Sequence, residues 1–141
     1  MRWSQLQHRI YDVWVDRLDG QRLQIHCTAY GLGGSASVGR WWITLGREIV
    51  WDVPRDFPEE RAKGTYNPVA SEIADLVEDY LNTPRGQLLT REFPTDRWSL
   101  VEIFRAADRR LGRARLAELH ESLASPVARR ILEARLASPA G

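Results

Sequence analysis

Hydrophobic side chains recur at helical spacing at the start of the chain. From a capping Ser4 onward, apolar positions return every three or four residues, which predicts an amphipathic helix that ends at Gly20. The apolar face of this helix comprises Leu6, Ile10, Val13, Trp14 and Leu18. A helix of this pattern requires another element against which its apolar face can pack.

Between residues 22 and 53 the pattern changes to the alternation that is typical of strands. RLQIHCTAY (22–30), RWWITL (40–45) and EIVWDV (48–53) alternate in polarity or are rich in β-branched and aromatic residues. These features predict three strands. Gly46 and Arg47 form a tight turn between the last two, so we expect an antiparallel meander. If its last strand is regular, Ile49, Trp51 and Val53 share the buried face.

Helical spacing returns after a stretch rich in proline and charge over residues 54–68. It predicts four or five helices from about residue 68 to residue 137. Asp96 is placed to cap one of them and Gly112 to end it. Ser125 and Pro126 form a cap-and-proline signal at the start of the last helix.

This order of elements predicts a single α+β domain over residues 1–141, because strands and helices are segregated along the chain. Residues 1–60 form the half that contains the sheet, residues 61–137 form the helical half, and residues 138–141 should fray. The chain has 141 residues, of which 43% are hydrophobic, and a formal charge of +1. These values are ordinary for a globular domain and argue against disorder.

Composition and the N-terminal sequence favour a cytoplasmic protein with no membrane partner. Cys27 is the only cysteine, so no intramolecular disulfide can form and a reducing compartment is the simpler interpretation. The opening MRWSQLQHRIYDVW lacks the apolar segment of a signal peptide. No apolar run approaches the roughly 20 residues that a membrane-spanning helix needs.

The sequence contains little that matches known catalytic, cofactor-binding or metal-binding motifs. GLGGSA at residues 31–36 matches a dinucleotide-binding loop in letters, but strand-like residues follow where that loop needs a helix. His8, His26 and His120 lie too far apart for a metal-ligand pattern, and no nucleophile-elbow motif is present. We therefore expect neither cofactor nor metal. The remaining candidate is a small hydrolase that uses His26 and Asp52 as an acid–base pair.

Tryptophan is the unusual residue of this composition, with six in the chain. In a regular strand Trp41 and Trp42 face opposite ways, so that one packs in the core and the other lies on the outer face. Tryptophan and arginine are enriched where proteins bind each other, although large aromatic residues more often simply build a core. Our leading hypothesis is a non-enzymatic accessory factor, immunity- or antitoxin-like, that docks on another protein. Its contact residues would be Gly33, Gly34, Ser35, Arg40, Trp42 and Asp52.

The C-terminal part of the chain is mildly basic and provides an alternative. Residues 85–141 contain eleven arginines and seven acidic residues. A nucleic-acid-binding protein could contact phosphates through these helices. The residues concerned are Arg109, Arg110, Arg113 and Arg115. The same arginines also fit an ordinary solvated helix end that complements the helix dipole. A homo-oligomer is compatible with either hypothesis.

Several short segments of the chain form a distinctive set: the opening M-x-W-S-x-L, IHCTxY at 25–30, RWWIT at 40–44, RAADRR at 105–110 and EARL at 133–136. These segments resemble those of a family of small uncharacterised bacterial single-domain proteins. The segments are spread over most of the chain. The resemblance implies a bacterial cytoplasmic protein, and it transfers no activity, cofactor or catalytic residue.

Overall fold

The computed structural model describes residues 3–31, 37–53 and 69–137. Helix α1 comprises Trp3–Val13. Four strands follow: β1 (Arg17–Leu18), β2 (Gln21–Gly31), β3 (Ser37–Leu45) and β4 (Glu48–Val53). The later helices are α2 (Val69–Leu81), α3 (Leu100–Ala107), α4 (Arg113–His120) and α5 (Pro126–Ala137), with a short 3-10 turn at Arg85–Gln87. The predicted mixture of one helix, a sheet and then helices is confirmed.

The first helix is shorter than its hydrophobic spacing predicts, and the sheet gains a strand. Leu18 is buried, but it lies in β1 and not on α1. Asp19 and Gly20 form a tight turn that joins β1 to β2, with φ values of 52° and 77°. Two positive φ values are the mark of a type I′ hairpin turn, for which Asp-Gly is a favoured sequence. The prediction of three strands was therefore wrong by one, and Gly20 ends no helix.

The strands pair antiparallel in the order β1-β2-β3-β4, so the predicted meander is confirmed. Gly46, with φ of 60°, provides the positive φ of the tight turn between β3 and β4. A bulge interrupts this last pair between Ile43 and Thr44. Because of the bulge, Ile49 lies opposite Thr44 and is 50% exposed. Its predicted place on the buried face, beside Trp51, was wrong.

The two side chains that the sequence predicts as caps accept hydrogen bonds from the first backbone N–H groups of α3 and α5, although the N-cap position of α3 is Ser99. The Asp96 carboxylate accepts hydrogen bonds from the backbone N–H groups of Trp98, Leu100 and Val101. The Ser125 hydroxyl accepts one from the N–H of Ala128, at 3.2 Å. Gly112, however, precedes α4 as its N-cap, since α3 has already ended at Ala107. Its predicted place at the end of the preceding helix was wrong.

Both halves of the chain contribute to one continuous hydrophobic core. Trp14, Trp41, Tyr80 and Phe104 are among its largest buried side chains. The Phe104 ring makes edge contacts with Trp14 at 4.9 Å and with Tyr80 at 5.3 Å between ring centroids. One face of the sheet packs against the helices, and the polar side chains of the other face remain partly exposed. No helix in the described ranges is long and apolar enough to cross a membrane.

Candidate functional site

Strand alternation puts a set of polar and aromatic side chains on the face of the sheet that lies away from the core. The buried positions of β2 and β3 are Leu23, Ile25, Trp41, Ile43 and Leu45. The intervening positions point the other way, because successive side chains of a strand alternate between faces. We call them the outer sheet face, together with their β4 neighbour. This face comprises Gln24, His26, Thr28, Arg40, Trp42, Thr44 and Asp52.

Trp42 occupies the middle of the outer sheet face and is held by two neighbours. The His26 ring stacks against it, with the ring centroids 4.9 Å apart and the planes inclined by 22°. The Arg40 guanidinium carbon lies 4.6 Å from the Trp42 ring centroid, which is cation–π distance. Trp42 remains partly exposed. The indole is therefore fixed in one orientation and still reachable from solvent.

Arg40 is itself held by an ion pair with Asp52. Its Nε and Nη2 atoms donate to the two carboxylate oxygens of Asp52 at 3.0 and 2.9 Å, a bidentate arrangement. The two side chains are 21% and 23% exposed. Two parallel hydrogen bonds define the plane of the guanidinium and not only its position. Asp52 thus orients Arg40, and Arg40 in turn orients the indole.

His26 and Asp52, the predicted acid–base pair, share this face but do not meet. His26 on β2 and Asp52 on β4 both lie opposite Trp42, so β3 runs between them. Two strand spacings amount to roughly 10 Å. The His26 Nε2 atom lies 2.9 Å from the Thr44 hydroxyl, whereas the Asp52 carboxylate is bonded to Arg40. The hydrogen bond that the hydrolase hypothesis requires is therefore not formed in this structure.

The protonation states of His26 and Cys27 also do not favour a catalytic role for either side chain. Burial lowers the pKa of His26, so its imidazole is neutral at neutral pH. Burial raises the pKa of the adjacent Cys27 thiol to about 11, which keeps the thiol protonated and a weak nucleophile. Within the described residues, no three His, Cys, Asp or Glu side chains come together as a metal site would require.

The loop residues Gly33, Gly34 and Ser35, which the sequence also places in the contact surface, lie outside the described residues. Arg40, Trp42 and Asp52 are brought together as a group. The candidate contact surface therefore consists of side chains carried by the strands themselves.

The arginines of the alternative nucleic-acid site are largely occupied within the fold. Arg110 donates through Nε and Nη2 to the fully buried carboxylate of Asp108, at 2.7 Å for the closest contact. Arg109 donates to the backbone oxygens of Tyr11 and Asp12, and Arg113 to that of Leu136. Arg115 is exposed on α4, and its guanidinium has no hydrogen bond or ion pair with another of the described residues. Three of the four guanidiniums thus have intramolecular acceptors.

A groove along β4 is a feature that sequence reasoning missed. It has a volume of about 750 Å³ and is lined by the consecutive strand residues 49–53 on one side. Residues 97–99 and 124–127 line the other side. The Trp51 indole N–H donates to the backbone oxygen of Trp98 at 3.1 Å and joins the two sides. Segments so distant along the chain meet only through tertiary packing, so no local pattern could have indicated the groove.

Comparisons with known proteins give one match. A sequence model described as the SF0329 protein family matches residues 2–70 and 59–136, which together are nearly the whole chain. No curated protein and no solved structure matches the chain. The match confirms the expected membership of an uncharacterised family. It assigns no activity, so the functional argument depends on the geometry described above.

Proposed function

We propose that this protein, which belongs to the SF0329 protein family, is a non-enzymatic accessory factor that docks on another protein. The docking surface is the outer sheet face, with Arg40, Trp42 and Asp52 at its centre. One observation carries the proposal: a partly exposed tryptophan held in place by a stacked histidine and a fixed arginine.

This arrangement has the composition and the rigidity of a binding hot spot. Tryptophan and arginine are the residues whose truncation most often costs binding energy, and they act best near the centre of an interface. Ordering a flexible side chain during binding costs about 0.5–1.5 kcal/mol. Because Trp42 and Arg40 are already ordered in the free protein, most of that cost has been met before the partner arrives.

The core does not explain why these side chains are present. Trp41, on the opposite face of the same strand, is 1% exposed and supplies the aromatic packing against the helices. Trp42 points away from that core, and polar side chains surround it. A threonine or a glutamine at this position would serve a solvated strand equally well. The large apolar ring is therefore better explained by contact with something outside the chain.

An affinity capture of the tagged protein from its native lysate, treated with nuclease, tests this proposal. Wild type is compared with Trp42→Ala and with Arg115→Ala, which changes the exposed arginine of the alternative surface. We expect a stoichiometric protein partner that Trp42→Ala loses and Arg115→Ala retains. Far-UV circular dichroism of Trp42→Ala should be unchanged, because the indole lies outside the core.

Three outcomes would contradict the proposal. A partner that Trp42→Ala retains would place the interface elsewhere. Unfolding of Trp42→Ala would make the indole a structural residue. Material that disappears with nuclease, or that Arg115→Ala loses, would favour the nucleic-acid hypothesis, whose affinity should also fall steeply with salt.

A further inference from the structure

Among the described strands β4 is the last of the sheet, and the direction of its backbone groups follows from the ladder. The N–H of Ile25 donates to the Tyr11 hydroxyl at 3.0 Å, and the same hydroxyl donates to the Ile25 carbonyl oxygen at 3.2 Å. Both backbone groups of Ile25 therefore point away from β3. Its partner Ile43 must then point its own groups toward β4, because an antiparallel ladder alternates between bonded and non-bonded pairs.

The same alternation identifies the outward-facing positions of β4. Ile43 pairs with Trp51, so the backbone groups of Trp51 point back to β3. Asp52, the next residue, points its N–H and C=O away from β3. Ile49 does so as well, because its partner Thr44 directs its backbone groups to β2. In the described residues no other element bonds to the N–H or C=O of Ile49 or Asp52.

These outward groups face the groove described above. Five consecutive residues of β4 line it, which is possible only if the groove follows the edge of the strand, since alternate side chains point to opposite faces. The turn at residues 97–99 and the start of α5 form its far wall. The groove thus combines a row of backbone donors and acceptors with a second wall, as in sites where an extended peptide adds a strand to a sheet.

The charges around the groove favour a negatively charged occupant. Arg97 lines it with a side chain that is 63% exposed, and its surface ion pair with Glu72 is of the weak, solvent-screened type. Val127, in the first turn of α5, also lines the groove, and its backbone N–H has no acceptor among the described residues. The one carboxylate in the lining, that of Asp52, is already paired with Arg40 at 2.9 Å.

We propose that the groove binds an extended acidic segment of another protein, which pairs with the outward groups of Ile49 and Asp52 as a fifth strand. An acidic side chain of the segment contacts Arg97 or the N–H of Val127. This site differs from the outer sheet face, because it uses the backbone edge of β4 and not Trp42.

Selection of random linear peptides displayed on phage against the full chain tests this inference. We expect enrichment of acidic peptides. Hydrogen exchange of the Ile49 and Asp52 amides should slow when a selected peptide binds. The Trp51 and Val53 amides, which already face β3, should change little and serve as internal references.

Variants of the edge provide the second measurement, by calorimetric titration of the selected peptide. Ile49→Pro removes an outward N–H and is compatible with an edge strand. It should weaken binding about tenfold, through one lost hydrogen bond and the bulk of the ring. Ile49→Thr keeps the N–H and should bind within about twofold of wild type. Arg97→Gln should weaken binding of the acidic peptide, whereas the exposed Arg47→Gln, outside the groove, should not.

Trp42→Ala should leave the affinity for the peptide unchanged, so failure of this inference can be told apart from failure of the proposed function. The inference is overturned if selection yields no peptide, or if the selected peptides are basic. It is also overturned if binding leaves the exchange of the Ile49 and Asp52 amides unchanged. Should Ile49→Pro fail to fold, the exchange measurement on wild type still decides between these outcomes.

Discussion

Replacement of Asp108 by alanine should strongly destabilise the protein, because this buried carboxylate ties α2 to the segment that follows α3. Asp108 is fully buried just after α3. Its carboxylate accepts a hydrogen bond from the Tyr80 hydroxyl at 2.7 Å and a bidentate pair from Arg110. Its backbone also bridges to Trp14, next to the end of α1. Burial raises the pKa of Tyr80 well above its ordinary value, so the phenol remains a donor.

The expected cost follows from the groups that Asp108→Ala leaves without a partner. Removing one member of a buried ion pair costs about 3–5 kcal/mol. The Arg110 side chain is 26% exposed and can recover some hydration, which places the estimate at the lower end. The Tyr80 hydroxyl stays buried without an acceptor, at a cost of about 1–3 kcal/mol that belongs to the same total. We expect a loss of about 3 kcal/mol, or roughly 10 °C in Tm.

Urea unfolding followed by circular dichroism measures this loss as a shift of the midpoint at constant slope. The matched variant Tyr80→Phe removes only the hydroxyl and should cost about 1 kcal/mol. The double variant should cost less than the sum of the two single variants, because they share one hydrogen bond. A loss below about 1 kcal/mol for Asp108→Ala, or strict additivity in the double variant, would refute this account of the network.

Three further predictions concern a titration, a thiol and a turn. Burial lowers the pKa of His26 below its ordinary 6.5, so the unfolded state binds the proton more readily than the folded state. The free energy of unfolding should therefore fall as the pH drops from 6.5 through the folded-state pKa of His26. The difference in urea midpoint between wild type and His26→Gln, followed from pH 8 to 5, should show this loss; a flat difference would contradict it. With a pKa of about 11, Cys27 should react with a disulfide reagent at pH 8 far more slowly in folded than in unfolded protein, and equal rates would refute the burial argument. Gly20 has a φ of 77°, and an added Cβ would meet no atom within 4 Å apart from its chain neighbours. Gly20→Ala should therefore lower the free energy of unfolding by about 1–2 kcal/mol through backbone strain alone, and Gly20→Asn should lower it less. Equal midpoints of the two variants in thermal unfolding would show that the turn relaxes.

Comparison of particular elements shows why some features could be predicted and others could not. The strand at residues 48–53 was located correctly, because its composition and its flanking Gly46 are local signals. The orientation of its side chains was not predicted correctly, because the bulge opposite Ile43 and Thr44 arises from pairing with β3 and places Ile49 on the outward side. In the same way, helical spacing from Leu6 to Leu18 continued beyond the true end of α1 at Val13. Leu18 belongs instead to β1, which the hairpin turn at Asp19 and Gly20 pairs with β2.

In the candidate site, too, some features follow from local sequence and others depend on tertiary packing. That Trp41 and Trp42 face opposite ways follows from strand periodicity alone, and the structure places Trp41 in the core. The contacts of Trp42 with His26 and of Arg40 with Asp52 cross between strands, so they depend on register. The arginines at residues 109–113 look like a basic patch in the sequence. Only packing reveals that Asp108 and nearby backbone oxygens already occupy them.

The sequence by itself determined the coarse order of helix, sheet and helices, the tight turn at Gly46 and the capping roles of Asp96 and Ser125, because each depends on residues within a few positions of one another. Tertiary structure alone decided which described strand lies at the end of the sheet, which arginines are occupied and where the groove beside β4 lies. Those features depend on groups that are distant in the chain and close in space, such as Trp51 and Trp98. Local periodicity carries no information about such distances.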